Sequence, residues 1–288
     1  MRSVFLSRLL STVVLWAVVL WTVFSGHEFG FFALISGMGL TALWEFYRML
    51  DHRGLPNFKI TGMICGAVLF AGSFYFFHRY GQSEAANFEV VALVGLLMTV
   101  MTRQMFKGLR EVEPLPTMAY TLFGLLYVVW LFNFMNKIVY VVPRNADNMV
   151  MGQFYVLYLM VVTKFSDMGA YITGSLFGKH LLIPHISPKK TWEGFFGALF
   201  FSLLGSHALV WYMPDRLSLI DTAHATVLGL LLGFAAIVGD LAESIVKRGS
   251  NVKDSGHFLP GIGGALDLID SLLFTAPLLY FYLELLIN

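Results

Sequence analysis

Apolar residues in this 288-residue chain run in long, nearly unbroken stretches, and polar residues gather in short segments between them. Crossing the hydrocarbon core of a bilayer as a helix takes roughly 17–25 such residues. Nine stretches approach that length, at about 7–24, 29–47, 60–78, 87–102, 117–135, 151–173, 192–213, 223–242 and 267–287, the fourth being the shortest. The pattern predicts an all-α polytopic integral membrane protein with about nine transmembrane helices. No linker or repeat divides the chain, so residues 1–288 read as a single membrane domain, with N-terminal helices over 1–150 and a more polar region over 151–288. The first stretch follows Arg2 and Arg8 and lacks a small-residue cleavage site, so it reads as an uncleaved helix rather than a signal peptide.

Composition supports this picture. Residues are 57% hydrophobic and only 13% charged, about half the charged share of soluble domains, which argues against a large water-soluble core. A net charge of +1 gives no reason to expect a nucleic-acid partner. The one cysteine, Cys65, sits in an apolar run and reads as a small buried hydrophobe. Cation placement then suggests an orientation. With the N-terminus cytoplasmic, 14 of the Lys and Arg residues fall in inner segments and 4 in outer ones (Arg79, Lys137, Arg144 and Arg216). Positive charge favours the cytoplasmic side, so the asymmetry predicts an inner N-terminus and an outer C-terminus.

Several charged residues interrupt the apolar pattern, where charge is costly and marks function by default. Lys164 and Asp167 lie at i, i+3 in the sixth stretch, either as a self-neutralised pair that stabilises the bundle or as part of a site. Asp240, Ser244 and Lys247 form one stripe at the end of the eighth stretch, with Glu243 beside it, and Asp267 and Asp270 open the ninth. These aspartates suit a hard cation such as Mg²⁺. Pairing with Lys247, Arg248 or Lys253 is the equal alternative. Gly261, Gly263 and Gly264 precede a helix, where backbone amides can approach a phosphate. Ser187 and Pro188 read as a helix cap and first residue. That would put Lys189 and Lys190 in a first turn, where cations are disfavoured unless an anion is held there. Anchoring to the inner leaflet is the other reading of these lysines. Glu45 and Arg48 read as a snorkelling pair, and His207 and His224 as packing or interfacial residues.

Three ordered blocks resemble the phosphatidate cytidylyltransferase family. They are SDMGAYITGSLFGKH (166–180), SPKKTWEG (187–194), and a C-terminal block of GDLAESIVKR (239–248), KDSG (253–256), LPG (259–261), GG (263–264) and an Asp-x-x-Asp at 267 and 270. The resemblance covers about 160–275 and makes 151–288 the catalytic region. It implies that CTP and phosphatidate, or a related lipid phosphate, give CDP-diacylglycerol and pyrophosphate at the cytoplasmic face. It also implies Mg²⁺, with a second metal or a monovalent cation compatible, membrane lipids as surroundings and a homodimer as the expected assembly.

On this reading Asp240, Asp267 and Asp270 hold the metal, and Lys247 joins them in catalysis. Ser187, Lys189, Lys190, Thr191, Ser244, Arg248, Lys253, Asp254, Gly263, Gly264 and Asp167 bind or support phosphates. Two positions depart from the family pattern: Ile262 stands where that pattern has His, and Leu268 where it has Arg. Neither side chain can donate to a phosphate. A CTP-dependent lipid kinase and a catalytically impaired scaffold are the alternatives to transferase activity. A transporter would place its polar residues near mid-bilayer instead.

Overall fold

The structure, a computed structural model, describes residues 2–107, 113–146, 149–252, 255–256 and 263–287. Lys253, Asp254, Gly261 and Ile262 lie outside these residues, as do the side chains of Arg2 and Arg8. The nine stretches correspond to nine helical rods among the described residues. They are α1 (Arg2–Ser25), α2 (Glu28–His52), α3 (Lys59–Tyr80), α4 (Gln82–Lys107), a rod of α5 (Pro114–Gly124), a π-turn (Leu125–Trp130) and α6 (Leu131–Val141), then α7 (Gly152–Phe177), α8 (Trp192–Tyr212), α9 (Thr222–Gly249) and α10 (Ala265–Ile287). Among the described residues, seven of the nine are long and apolar enough to cross a membrane. The protein is an all-α polytopic membrane protein.

Local chemistry sets the ends of these rods. Between α3 and α4 a single residue, Gly81 at φ 88°, makes the turn that an L side chain would resist. Asp221 caps α9 by accepting the His224 amide at 2.8 Å. Cap amides hold the Asp221 carboxyl below the usual aspartate range.

Small residues let the helices approach closely, as membrane bundles require. A Cβ on Gly169 of α7 would stand 2.5 Å from the Gly197 carbonyl of α8. One on Gly239 of α9 would stand 2.9 Å from the Asp270 carbonyl of α10.

Two expectations change here. Lys137, counted above with the outer loops, lies inside α6, buried, with its ammonium 2.5 Å from Glu89 of α4. Asn133 donates to the same carboxylate at 3.0 Å. The helix runs six residues beyond the apolar stretch because neighbouring helices satisfy its polar side chains. Glu45 does not snorkel beside Arg48: it is 6% exposed and accepts the Leu266 amide of α10 at 3.0 Å.

One end of the bundle gathers the termini that matter for chemistry. Arg53, after α2, donates to the Gly249 carbonyl at the end of α9. Between α7 and α8 an antiparallel hairpin, β1 (Leu181–Ile183) and β2 (Ser187–Thr191), pairs Leu181 with Thr191 and Ile183 with Ser187. Ser187 and Pro188 are therefore strand residues and not a helix start. The cap of α8 is Thr191, whose hydroxyl accepts the Gly194 amide at 3.1 Å. Pro184 lies in the turn that reverses the chain, so the helix cannot begin until the hairpin has closed.

Candidate active site

A cleft of about 590 Å³ opens where the C-terminal part of α7, strand β2, the start of α8, the end of α9 and the start of α10 meet. Five carboxylates line it, Asp167, Asp240, Glu243, Asp267 and Asp270, against three lysines, Lys189, Lys190 and Lys247. That excess of negative charge sits in part-buried surroundings, where uncompensated charge is costly.

The helical period explains how α9 contributes. Asp240, Glu243 and Lys247 recur at three- and four-residue spacing and so share one face. Opposite them α10 presents Asp267 and Asp270, and the missing side chain at Gly239 lets the two helices close at this level. Ligand oxygens of Asp240, Glu243 and Asp270 all lie within 4.8 Å of one another. Glu243 is 1% exposed, and its oxygens meet no hydrogen-bond donor in good geometry; the Lys247 ammonium beside it supplies an ion pair. Sequence reasoning set Glu243 beside the functional stripe. Its spacing, three residues after Asp240 and four before Lys247, was the signal that it belongs within the cluster.

Asp267 has a different setting. Its carboxylate accepts the Gly264 amide at 2.9 Å and the Ser255 amide at 3.3 Å, and Lys247 stands 3.1 Å away. Gly264 thus gives its amide to a protein carboxylate, and Gly263 takes φ 136° just before it. Asp270, 8% exposed, accepts the amide of its neighbour Ser271.

Across the cleft, Lys190 Nζ stands 2.9 Å from Asp240 Oδ2 and is otherwise buried without a hydrogen-bond partner. Lys189 is exposed on the same strand. Asp167 pairs with Lys164 at 3.0 Å and accepts from Ser271 Oγ at 3.4 Å, so the pair within α7 also reaches α10. Thr191 lines the cleft while capping α8. Ser187, Ser244 and Arg248 do not line it, and Arg248 is exposed. Leu268 packs against the hydrophobic core. Above the carboxylates, the π-turn of the α5–α6 rod buries Tyr127, whose hydroxyl has no hydrogen-bond partner among the described residues.

Converging carboxylates and lysines at the ends of membrane-length helices are the kind of charged cleft that an integral-membrane enzyme acting on phosphorylated substrates uses. Comparison with known proteins narrows the class to nucleotidyltransferases. The model of the Cytidylyltransferase family matches residues 6–286, and the chain belongs to that family. It is 35% identical over 282 residues to a protein of Bacillus subtilis (strain 168) named phosphatidate cytidylyltransferase, covering 96% of this chain and 97% of the relative. A phosphatidate cytidylyltransferase of Staphylococcus aureus (strain COL) is 44% identical over 128 residues, 44% of this chain and 48% of that one. Uncharacterized protein YnbB of Escherichia coli (strain K12) is 35% identical over 164 residues, 57% of this chain and 50% of that protein.

Proposed function

We propose that this chain transfers the cytidylyl group of CTP to phosphatidate, or a closely related lipid phosphate, releasing pyrophosphate, and that it does so at the cytoplasmic boundary of the membrane. The observation that carries this reading is the cleft itself, where Asp240, Glu243 and Asp270 converge within reach of Lys190 and Lys247. The named relatives supply the substrates.

A divalent cation fits these residues. Five lining carboxylates exceed three lysines, and Glu243 is buried with Lys247 as its one cationic partner among the described residues. Asp240, Glu243 and Asp270 would hold Mg²⁺, and when bound it supplies charge neutralisation at the reacting phosphates. This ligand set replaces Asp267 with Glu243, because Asp267 is already engaged by Lys247 and two backbone amides.

The chemistry asks the protein chiefly to overcome repulsion. A phosphate oxygen of the lipid attacks the α-phosphorus of CTP; a new P–O bond forms, the bond to the bridging oxygen breaks, and that electron pair leaves on pyrophosphate. Lys189 and Lys190 on β2 line the cleft and would receive the β- and γ-phosphates. Lys247 holds the carboxylates of α9 and α10 together through Glu243 and Asp267. Lys164 and Asp167, paired within α7, would stand on the side from which the lipid phosphate approaches. Positioning and electrostatics supply most of the catalysis in such transfers.

The test is product analysis. Purified protein in detergent, given labelled CTP, phosphatidate and MgCl₂, yields CDP-diacylglycerol and pyrophosphate, and Asp240→Asn does not. CDP with a newly phosphorylated lipid would make the protein a lipid kinase instead. No turnover across a panel of lipid phosphates would overturn the enzymatic reading.

A further inference from the structure

Glu45 lies on α2, more than a hundred residues before the first motif that resembles the family, yet it touches the end of the signature region. It is 6% exposed, and no cation pairs with it among the described residues. Burying a carboxylate is unfavourable unless hydrogen bonds replace its water. Here the Leu266 amide donates to Oε2 at 3.0 Å and Ser255 Oγ approaches the same oxygen at 3.4 Å. Both partners belong to the chain that enters α10, so the carboxylate sits at the N-terminus of that helix, where amides lack intrahelical acceptors.

The chain has been shaped around this carboxylate. A Cβ on Gly264 would stand 2.6 Å from Glu45 Oε2, and one on Gly256 would overlap the carboxylate. Two acidic groups therefore divide the free amides between them: Asp267 takes those of Gly264 and Ser255 from within, and Glu45 takes that of Leu266 from a neighbouring helix. One turn further on, α10 presents Asp270 to Asp240 and Glu243. The axial position and rotation of the first turn of α10 decide whether those oxygens converge.

We infer that Glu45 is a positioning residue of the site, a clamp from the N-terminal half that sets α10 so that Asp267 reaches Lys247 and Asp270 joins the carboxylate cluster. The inference rests on the reading of that cluster as a divalent-cation site. It concerns hydrogen-bond reach rather than charge. Gln retains an acceptor at the same distance, whereas Asp keeps the charge but withdraws the oxygen by one methylene.

The experiment compares Mn²⁺ binding, followed by electron paramagnetic resonance, in the detergent-purified full-length chain and its Glu45→Gln and Glu45→Asp variants. Turnover of CTP and phosphatidate is measured on the same samples. Glu45→Gln is expected within threefold of wild-type Mn²⁺ affinity, and Glu45→Asp at least tenfold weaker, with the Mg²⁺ concentration for half-maximal turnover shifted in parallel. Rescue by Gln is what a role in charge balance would not produce. Wild-type affinity in Glu45→Asp, or a loss confined to Glu45→Gln, overturns the inference. Wild-type protein that binds Mn²⁺ but forms no CDP-lipid overturns the proposed reaction and leaves the clamp standing. Wild-type protein that binds no Mn²⁺ overturns the clamp together with the cation site.

Discussion

Replacing Glu243 by Gln separates the two roles a buried carboxylate can play here. The ligand oxygens of Asp240, Glu243 and Asp270 lie within 4.8 Å of one another. At that separation and an effective dielectric of about 20, each pair of like charges costs about 3.5 kcal/mol. Asp240 costs Glu243 less than this, since 41% of its side chain is exposed to solvent screening. On the same scale, the attraction lost from the Lys247 ammonium at contact distance is about 5 kcal/mol. Relief and loss nearly cancel, so without divalent cations Glu243→Gln should melt close to wild type.

Cation binding should respond quite differently, because one of three carboxylates is gone. A tenfold weaker site corresponds to about 1.4 kcal/mol. At a Mg²⁺ concentration 100 times the wild-type dissociation constant, stabilisation by binding falls from about 2.7 to about 1.4 kcal/mol. Thermal unfolding in detergent, with EDTA and then with increasing MgCl₂, reads both quantities on the same protein. A variant that melts well below wild type in EDTA yet gains the full wild-type shift with Mg²⁺ would refute the reasoning. Glu243 would then be a structural partner of Lys247 and not a ligand.

Other sites give separate outcomes. Lys190→Met removes the ammonium that faces Asp240, and steady-state assays in mixed micelles should show the KM for CTP raised at least tenfold while kcat changes less than threefold. Unchanged KM would remove Lys190 from the nucleotide site. Lys137→Met leaves Glu89 buried without its cation, which costs about 3–5 kcal/mol, seen as a lowered melting midpoint. The double variant Glu89→Leu with Lys137→Met should regain most of that loss, since an apolar pair of similar volume replaces the ion pair. A double variant as unstable as the single one would show that the polar cluster contributes more than its ion pair.

Hydrophobic runs made the helices legible, because a span must be apolar over a known length whatever it packs against. Their ends were less so. Lys137 looked like a loop residue since its partner Glu89 resides on a helix 48 residues earlier in the chain, where Asn133 reaches the same carboxylate. The start of α8 was misplaced for a local reason: Ser187-Pro188 has the chemistry of a helix start, but pairing with Ile183 draws it into a strand and leaves the cap to Thr191. Asp240, Lys247 and Asp270, which line the cleft, were singled out by spacing and motif. What distinguished the setting of Asp267 from that of Glu243 was not, because it depends on the amides of Ser255 and Gly264 turning toward one carboxylate and away from the other. Ser187, Ser244 and Arg248 share the motifs but not the cleft.

The two halves of the chain pack together around α10. Helix α10 packs against α9, where Asp240 and Glu243 lie, but also against α2 and α6 from the N-terminal half. If α2 served only to hold the protein in the bilayer, its face toward α10 would need only apolar side chains, which bury at less cost than a carboxylate. Instead Glu45 bonds an amide 221 residues away, where glycines at 256 and 264 leave it room. A buried acceptor at that place makes α2 part of the frame that sets the carboxylate cluster. On the proposed reaction, the bundle's end is where a bilayer substrate and a water-borne one can meet, and aligning the parts of such a site takes helices from both halves.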